Sequence, residues 1–116
     1  MHELLARPGP RPTAVFCISD LRAIGALRAL YEAGIRAPED MAVVGFDGIL
    51  LGQFTTPALT TMNQPREAMG QLAAEMLFNL LDGHQQLPSE QVLAAELLVR
   101  ESCGAVARVK SRPDRS

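Results

Sequence analysis

The sequence is short of the groups that most often carry chemistry. It has two histidines and two cysteines in 116 residues. His2 and His84 stand apart, with no pattern of metal ligands around either, so no metal centre is expected. Cys17 lies inside an apolar run and Cys103 near the C-terminal tail. Without a secretion signal, both are expected as reduced thiols rather than as a disulfide. An excess of charge is missing too: 11 Lys and Arg against 13 Asp and Glu leave a net charge of -2. Such a balance gives no general attraction to nucleic acid or to an anionic membrane. No apolar run is long enough to span a bilayer, and residues 1 to 8 lack the charged region and long apolar stretch of a signal peptide. These absences favour the cytoplasm. Neither the dinucleotide-binding nor the P-loop glycine pattern occurs. A triad of Ser19, His84 and Asp47 can be drawn. However, Ser19 is not in a nucleophile-elbow sequence, and His84 sits in a polar loop beyond a long helix. Neither an enzyme nor a cofactor is expected.

What is present suits one soluble α/β domain, with 47% apolar and 21% charged residues. Residues 1 to 12, with alternating Pro8, Pro10 and Pro12, read as a flexible loop or extended lead-in. Ala14 to Ile18 is a short apolar run and reads as a buried strand. Leu21, Ile24, Leu27, Leu30 and Tyr31 then recur at helical spacing, and Gly34 is placed to end that helix in a left-handed conformation. Met41 to Phe46 follows as a second strand. It is apolar at successive positions, so it reads as a central parallel strand covered on both faces. The order strand, helix, strand makes a βαβ unit. Ile49, Leu50, Leu51 and Phe54 fit no clear period and read as a short helix or a covering loop. Leu59 to Met62 is strand-like. A helix from Pro65 to Leu81 carries a wide apolar stripe through Met69, Leu72, Met76, Leu77 and Leu80 and ends at Asp82-Gly83. Met62, Met69 and Met76 are most simply core filler. His84 to Ser89 reads as a polar loop and Val92 to Val99 as a final strand. Residues 105 to 116 read as a disordered basic tail. The order of elements gives an α/β class with a mainly parallel sheet, packed from residues 13 to 104.

In such sheets, ligands sit outside the carboxyl ends of the strands. Asp47 falls at such an end, so it is either a ligand contact or the cap of a turn. Gly45 allows close approach of backbone or ligand there, and Gly48 permits a tight turn. Ser19 and Asp20 open the first helix, where either side chain could cap the free backbone N–H groups. Asp20 reads as structural, because the helix dipole favours a carboxylate at that position.

Five segments, in order, carry a resemblance. They are Phe16-Cys17-Ile18-Ser19-Asp20-Leu21, Gly25-Ala26-Leu27-Arg28-Ala29-Leu30 with Gly34, Pro38 to Asp47, Thr56 to Pro65 with Gly70, and Leu98-Val99-Arg100-Glu101-Ser102. Together they resemble the C-terminal part of the effector-binding domain of lactose-repressor (LacI/GalR) family transcriptional regulators, over residues 12 to 104. The resemblance implies a two-lobed, periplasmic-binding-protein-like fold. A small effector, usually a sugar or nucleoside-type molecule, would lie in the cleft of a homodimeric regulator that binds DNA through an N-terminal helix-turn-helix. By that analogy the strands at 14–18 and 41–46 belong to the C-terminal lobe. Residues 60 to 64 cross to the N-terminal lobe, the helix from 65 to 82 belongs there, and the last strand returns.

The resemblance implies effector contacts at Asp47, Gln64 and Ser19. Asp47 matches the carboxylate that accepts hydrogen bonds from effector hydroxyl or N–H groups. Gln64 matches a crossover residue whose amide can donate and accept, although it could simply face solvent. Ser19 stands where the family usually has asparagine, and it could instead be only a helix cap. Gly48 stands where a second acidic residue is common. The helix from 21 to 33 could carry part of a dimer interface or serve as ordinary core. No helix-turn-helix or hinge helix is present, so a gene fragment, a mis-called start or a truncated regulator is expected. DNA would be reached only through the missing N-terminal domain. The alternative function is a sugar-binding protein of a transport system with the same fold.

Overall fold

The computed structural model describes residues 1–83 and 90–105. Its elements run α1 (His2–Leu5), β1 (Ala14–Phe16), α2 (Asp20–Glu32), β2 (Ala42–Asp47), a 3-10 helix (Leu50–Phe54), β3 (Thr60–Asn63), α3 (Arg66–Leu81) and β4 (Glu96–Leu98). The strands form one sheet in the order β1-β2-β3-β4. β1 and β2 pair in parallel, with Val15 opposite Val43. β2 and β3 also pair in parallel, with Val44 opposite Thr60 and Asp47 opposite Asn63. The chain divides into two compact units, one of Met1–Asn63 with the residues from Leu97 onward, the other Gln64–Glu96.

In the first unit, α2 is the partner of the sheet. Ala23, Leu27 and Leu30 point inward and join Ile35, Met41, Val43 and Leu59 in one buried cluster. Removing these apolar groups from water supplies the driving force for the unit. Ser19 is the N-cap of α2, and Gly34, at φ +69°, ends it. Gly34 N–H donates to Tyr31 O at 3.1 Å and Ile35 N–H to Leu30 O at 2.9 Å, the bond pair of a Schellman motif. The connector to β2 is clamped by a charged pair: the Arg36 Nε and Nη2 groups donate to the two carboxylate oxygens of Asp40 at 3.0 and 3.1 Å.

Four expectations change. The lead-in is not wholly extended: α1 forms one helical turn, and Met1 and Leu5 pack against the core cluster. β2 is covered on one face only. Burial alternates along it, with Val43 and Gly45 buried and Val44 and Phe46 only half-buried. The neighbouring Phe16 is 60% exposed, in an edge-to-face contact with Phe46 at 6.4 Å. The final strand is three residues rather than eight, since only Glu96–Leu98 lie along the sheet, while Val92 is exposed. The methionines differ as well. Met41 is fully buried, whereas Met62 and Met76 are half-buried and Met69 is exposed.

The second unit is built on α3. No residue of this helix is buried within the chain, and Leu77, Phe78, Leu80 and Leu81 are all exposed. Its apolar stripe therefore contributes little to holding this unit together. The loop from His84 to Ser89 and the basic residues Arg108, Lys110, Arg112 and Arg115 lie outside the described residues.

The segment after β4 returns to the first unit and closes its lower edge. Ser102 is fully buried. Its hydroxyl donates to Val43 O at 2.6 Å and accepts from Thr60 N–H at 2.9 Å. Val43 N–H donates to Ser102 O at 2.8 Å. The side chain and backbone of one serine thus continue the ladder between β2 and β3. Beside it, Arg100 donates to Leu59 O at 2.8 Å, and the Glu101 carboxylate accepts from Ala58 N–H at 2.9 Å.

Two predictions follow from these contacts. Ser102→Ala leaves a buried N–H and a buried carbonyl without their side-chain partner, at a cost of about 1–3 kcal/mol in urea unfolding. The second concerns the clamp. The hydrogen bond from Arg36 holds the Asp40 carboxyl below its ordinary pKa. With the folded value depressed, the clamp's contribution is present above the unfolded pKa and is lost as pH falls through the folded value. NMR titration of the Asp40 carboxyl carbon is expected to give a midpoint below that of an ordinary aspartate, and Arg36→Ala is expected to raise it only part of the way, because the backbone N–H of residue 36 still donates to the carboxylate.

Candidate functional site

The start of α2, the turn after β2 and strand β3 meet at one buried group, the carboxylate of Asp20. Asp20 is the first residue of α2 and is fully buried. One carboxylate oxygen accepts from Ile49 N–H at 2.8 Å, in the turn that follows β2. The other accepts from the hydroxyl of Thr61 on β3 at 2.5 Å. Thr61 is also fully buried, and its hydroxyl oxygen receives Gly48 N–H at 3.3 Å. A buried carboxylate is costly unless it is hydrogen-bonded, and here both oxygens are engaged. Asp20 was expected to act as a structural cap on its own helix. Its role is structural, but the cap is Ser19, whose hydroxyl oxygen accepts from Arg22 N–H at 3.4 Å. Asp20 turns inward and fastens the helix start to β3 and to the turn after β2.

Gly45 makes room for this arrangement. A Cβ at Gly45 would overlap Asp20 Oδ1 and come within 3.2 Å of Leu59 Cδ2 and 3.3 Å of Ala23 Cβ. The close approach expected at Gly45 is therefore that of the Asp20 carboxylate.

Asp47 ends β2 with φ +125°. A non-glycine residue rarely adopts such a backbone, and it is costly unless the surroundings fix it. Gly48 follows at φ +71°, and a Cβ there would lie 2.7 Å from Asn63 Cα. Asp47 and Ser19 are both half-buried. Each lies within two residues of an end of the Asp20–Ile49 bond, so this bond brings their two segments together. Gln64 is the first residue of the second unit, immediately after Asn63 at the end of β3.

Two surface concavities of the first unit lie elsewhere. One, of about 410 Å³, is lined by Leu27, Tyr31, Ile35, Arg36 and Pro57 among others. The other, of about 560 Å³, is formed by the lead-in around Arg7 to Pro12. Neither includes Ser19 or Asp47. Cys17 is half-buried, and burial pushes its thiol pKa up, so it stays protonated at neutral pH. Among the described residues, no group of three His, Cys, Asp or Glu could hold a metal ion. Nor is any helix among them long and apolar enough to cross a membrane.

The signal that sequence reasoning missed is the Asp20–Thr61 pair. A threonine in a β-strand looks like a half-buried strand residue, and nothing nearby in sequence marks it as the partner of a helix-opening aspartate.

Comparison with known proteins agrees with this architecture. Residues 1–103 match the family described as periplasmic binding protein-like domain. The chain is 42% identical over 106 residues to the transcriptional repressor CytR of Escherichia coli K12, a match covering 91% of this chain and 31% of that repressor. Among solved structures, a transcriptional regulator CelR–cellobiose complex matches with TM-score 0.73 and 43% identity, over 78% of this chain and 28% of that one. The lac repressor dimer bound to operator and the anti-inducer ONPF matches with TM-score 0.74 and 35% identity, over 79% and 28%. The chain thus spans about a third of the curated relatives' length.

Two glycines make a paired prediction. Gly45→Ala forces Asp20 out of place and costs about 1–3 kcal/mol, as overpacking does. Gly25, inside α2, has nothing within 4 Å of an added Cβ. Gly25→Ala is expected to stabilise by roughly 0.5–1 kcal/mol through helix propensity. Urea unfolding of both variants checks the contrast.

Proposed function

Because the chain belongs to the periplasmic binding protein-like domain family, and the relatives it matches are LacI-type transcriptional repressors, we propose that it is part of the effector-sensing domain of a cytoplasmic, DNA-binding repressor. The effector is a sugar or nucleoside-type small molecule. Residues 13 to 104 carry the sensing portion. DNA is contacted by a separate N-terminal domain, and the working form is a homodimer. Cellobiose in the CelR complex supports a polyhydroxylated ligand for a site of this kind.

The observation that carries the reading is the conformation of Asp47. A carboxylate sits at the carboxyl end of a central parallel strand, on a backbone held at φ +125°. Ligands of open α/β sheets bind at such ends, and strained backbone collects at functional positions. In this reading Asp47 accepts hydrogen bonds from effector hydroxyl or N–H groups. Ser19 adds a hydroxyl from the start of α2. Gln64, the residue after β3, contributes its amide. A serine in place of the family's usual asparagine offers a shorter reach, which suits contact through water or a different effector. Recognition is binding alone, with no covalent step.

The test is calorimetry with a panel of sugars and nucleosides, on the domain carried in a full-length regulator. Asp47→Ala is expected to weaken binding of the effector by about 2–4 kcal/mol, as expected for losing a charged hydrogen-bond partner. Asp47→Gly is expected to lose affinity as well, while gaining roughly 1 kcal/mol of folding stability from relieved backbone strain. Unchanged affinity in both variants makes Asp47 a turn residue only. Saturable hydrolysis of a substrate that disappears in Ser19→Ala would instead make the protein an enzyme.

A further inference from the structure

The hydrogen bonds around Asp20 converge on the turn that carries Asp47. We propose that Asp20 and Thr61 form a latch that holds Asp47 in its strained, ligand-facing backbone conformation, so that Asp20 is a positioning residue for effector recognition although it touches no effector. The proposal rests on reading Asp47 as the effector contact.

Three observations carry it. First, the turn's own amides are the ones captured: Ile49 N–H goes to Asp20 Oδ2 at 2.8 Å, and Gly48 N–H goes to Thr61 Oγ1 at 3.3 Å. These are the two residues directly after Asp47. Second, the latch is rigid at its base. Asp20 and Thr61 are both fully buried, and the Thr61 hydroxyl proton goes to Asp20 Oδ1. A Met62 carbonyl lies at 3.5 Å from the same hydroxyl, but the shorter contact to the carboxylate takes the proton. Third, the strain at Asp47 needs an external restraint. At φ +125°, an aspartate lies outside the small left-handed region as well as the strand region. Such a residue persists only when its surroundings over-determine it. The pairing of β2 with β3 fixes Asp47 on its N-terminal side, through the ladder that ends at Asn63. The latch fixes it on the C-terminal side. Gly45 completes the device by leaving out the Cβ that would displace Asp20 Oδ1.

The latch also links three parts of the first unit that differ in sequence position: the start of α2, the turn after β2, and β3. A change in the position of the helix start is therefore passed to the Asp47 backbone through hydrogen bonds rather than through loop packing.

The test reads the Asp47 backbone directly and needs no effector. In the 116-residue chain, Asp20→Asn and, separately, Thr61→Val are followed by amide hydrogen exchange and by the Asp47 Cα chemical shift. Thr61→Val keeps the shape and removes the hydroxyl. In both variants, exchange at Gly48 and Ile49 is expected to rise roughly tenfold or more, as for local opening. The amides of Cys17 and Ala42, in the β1–β2 ladder, are expected to keep their protection. The Asp47 Cα shift moves toward that of an ordinary strand residue, and Thr61→Ser restores wild-type values. Unchanged exchange at Gly48 and Ile49 in Thr61→Val overturns the latch, as does a uniform rise across the sheet, which would mean a general structural role. Calorimetry on Asp47→Ala tests the sensing reading independently, so the failure of one is distinguishable from the failure of the other.

Discussion

A buried carboxylate with both oxygens occupied is the constraint on which the carboxyl end of this unit's sheet depends. Asp20 has no solvent to fall back on, so its acceptor capacity must be met by the protein. Ile49 N–H and the Thr61 hydroxyl meet it. Removing one of those donors leaves the carboxylate partly unsatisfied in a buried site, which costs more than a surface hydrogen bond does. The consequence is geometric: the start of α2, the end of β2 and β3 share one fixed point. At the opposite end of the sheet, Ser102 plays the matching part, with a buried hydroxyl that donates to β2 and accepts from β3. The first unit is therefore pinned at both ends by polar groups, with the apolar cluster of α2 and the sheet between them.

The same comparison explains what can be read from sequence. The strands at Ala14 and Ala42, the helix between them and its ending at Gly34 are all local features. Each is encoded by neighbouring residues with a period or a turn residue, and each stands near its expected place. The partners of Asp20, by contrast, lie 29 and 41 residues away, and those of Ser102 lie 42 and 59 away. No local pattern announces such pairs. Ser102 and Thr61 each stand in a segment that carries the family resemblance, but nothing local marks either as a buried partner. Asp47 was legible as the end of an apolar strand, but its positive φ was not, because aspartate adopts it only under tertiary restraint.

Burial was legible in part. Val43, Val44 and Phe46 are all apolar, so residue type alone could not say which face of β2 is covered. The alternation of burial along β2 resolves it. Residue type marks the apolar positions of α3 but does not say what lies against them. Exposure of Leu77, Phe78 and Leu81 shows that this chain does not bury them.

In the proposed reading, a strained aspartate at a strand end, a serine from an adjoining helix start and a fixed internal carboxylate form a site prepared before its ligand arrives. Preparation of this kind lowers the ordering cost of binding. The most direct test of the account is a crystal structure of the effector domain, in a full-length regulator, with a sugar or nucleoside that calorimetry shows to bind. The account predicts a ligand hydroxyl or N–H within hydrogen-bond distance of the Asp47 carboxylate, with the Asp20–Ile49 bond intact. A ligand seated instead in the groove beside Tyr31 and Pro57, with Asp47 untouched, would contradict it.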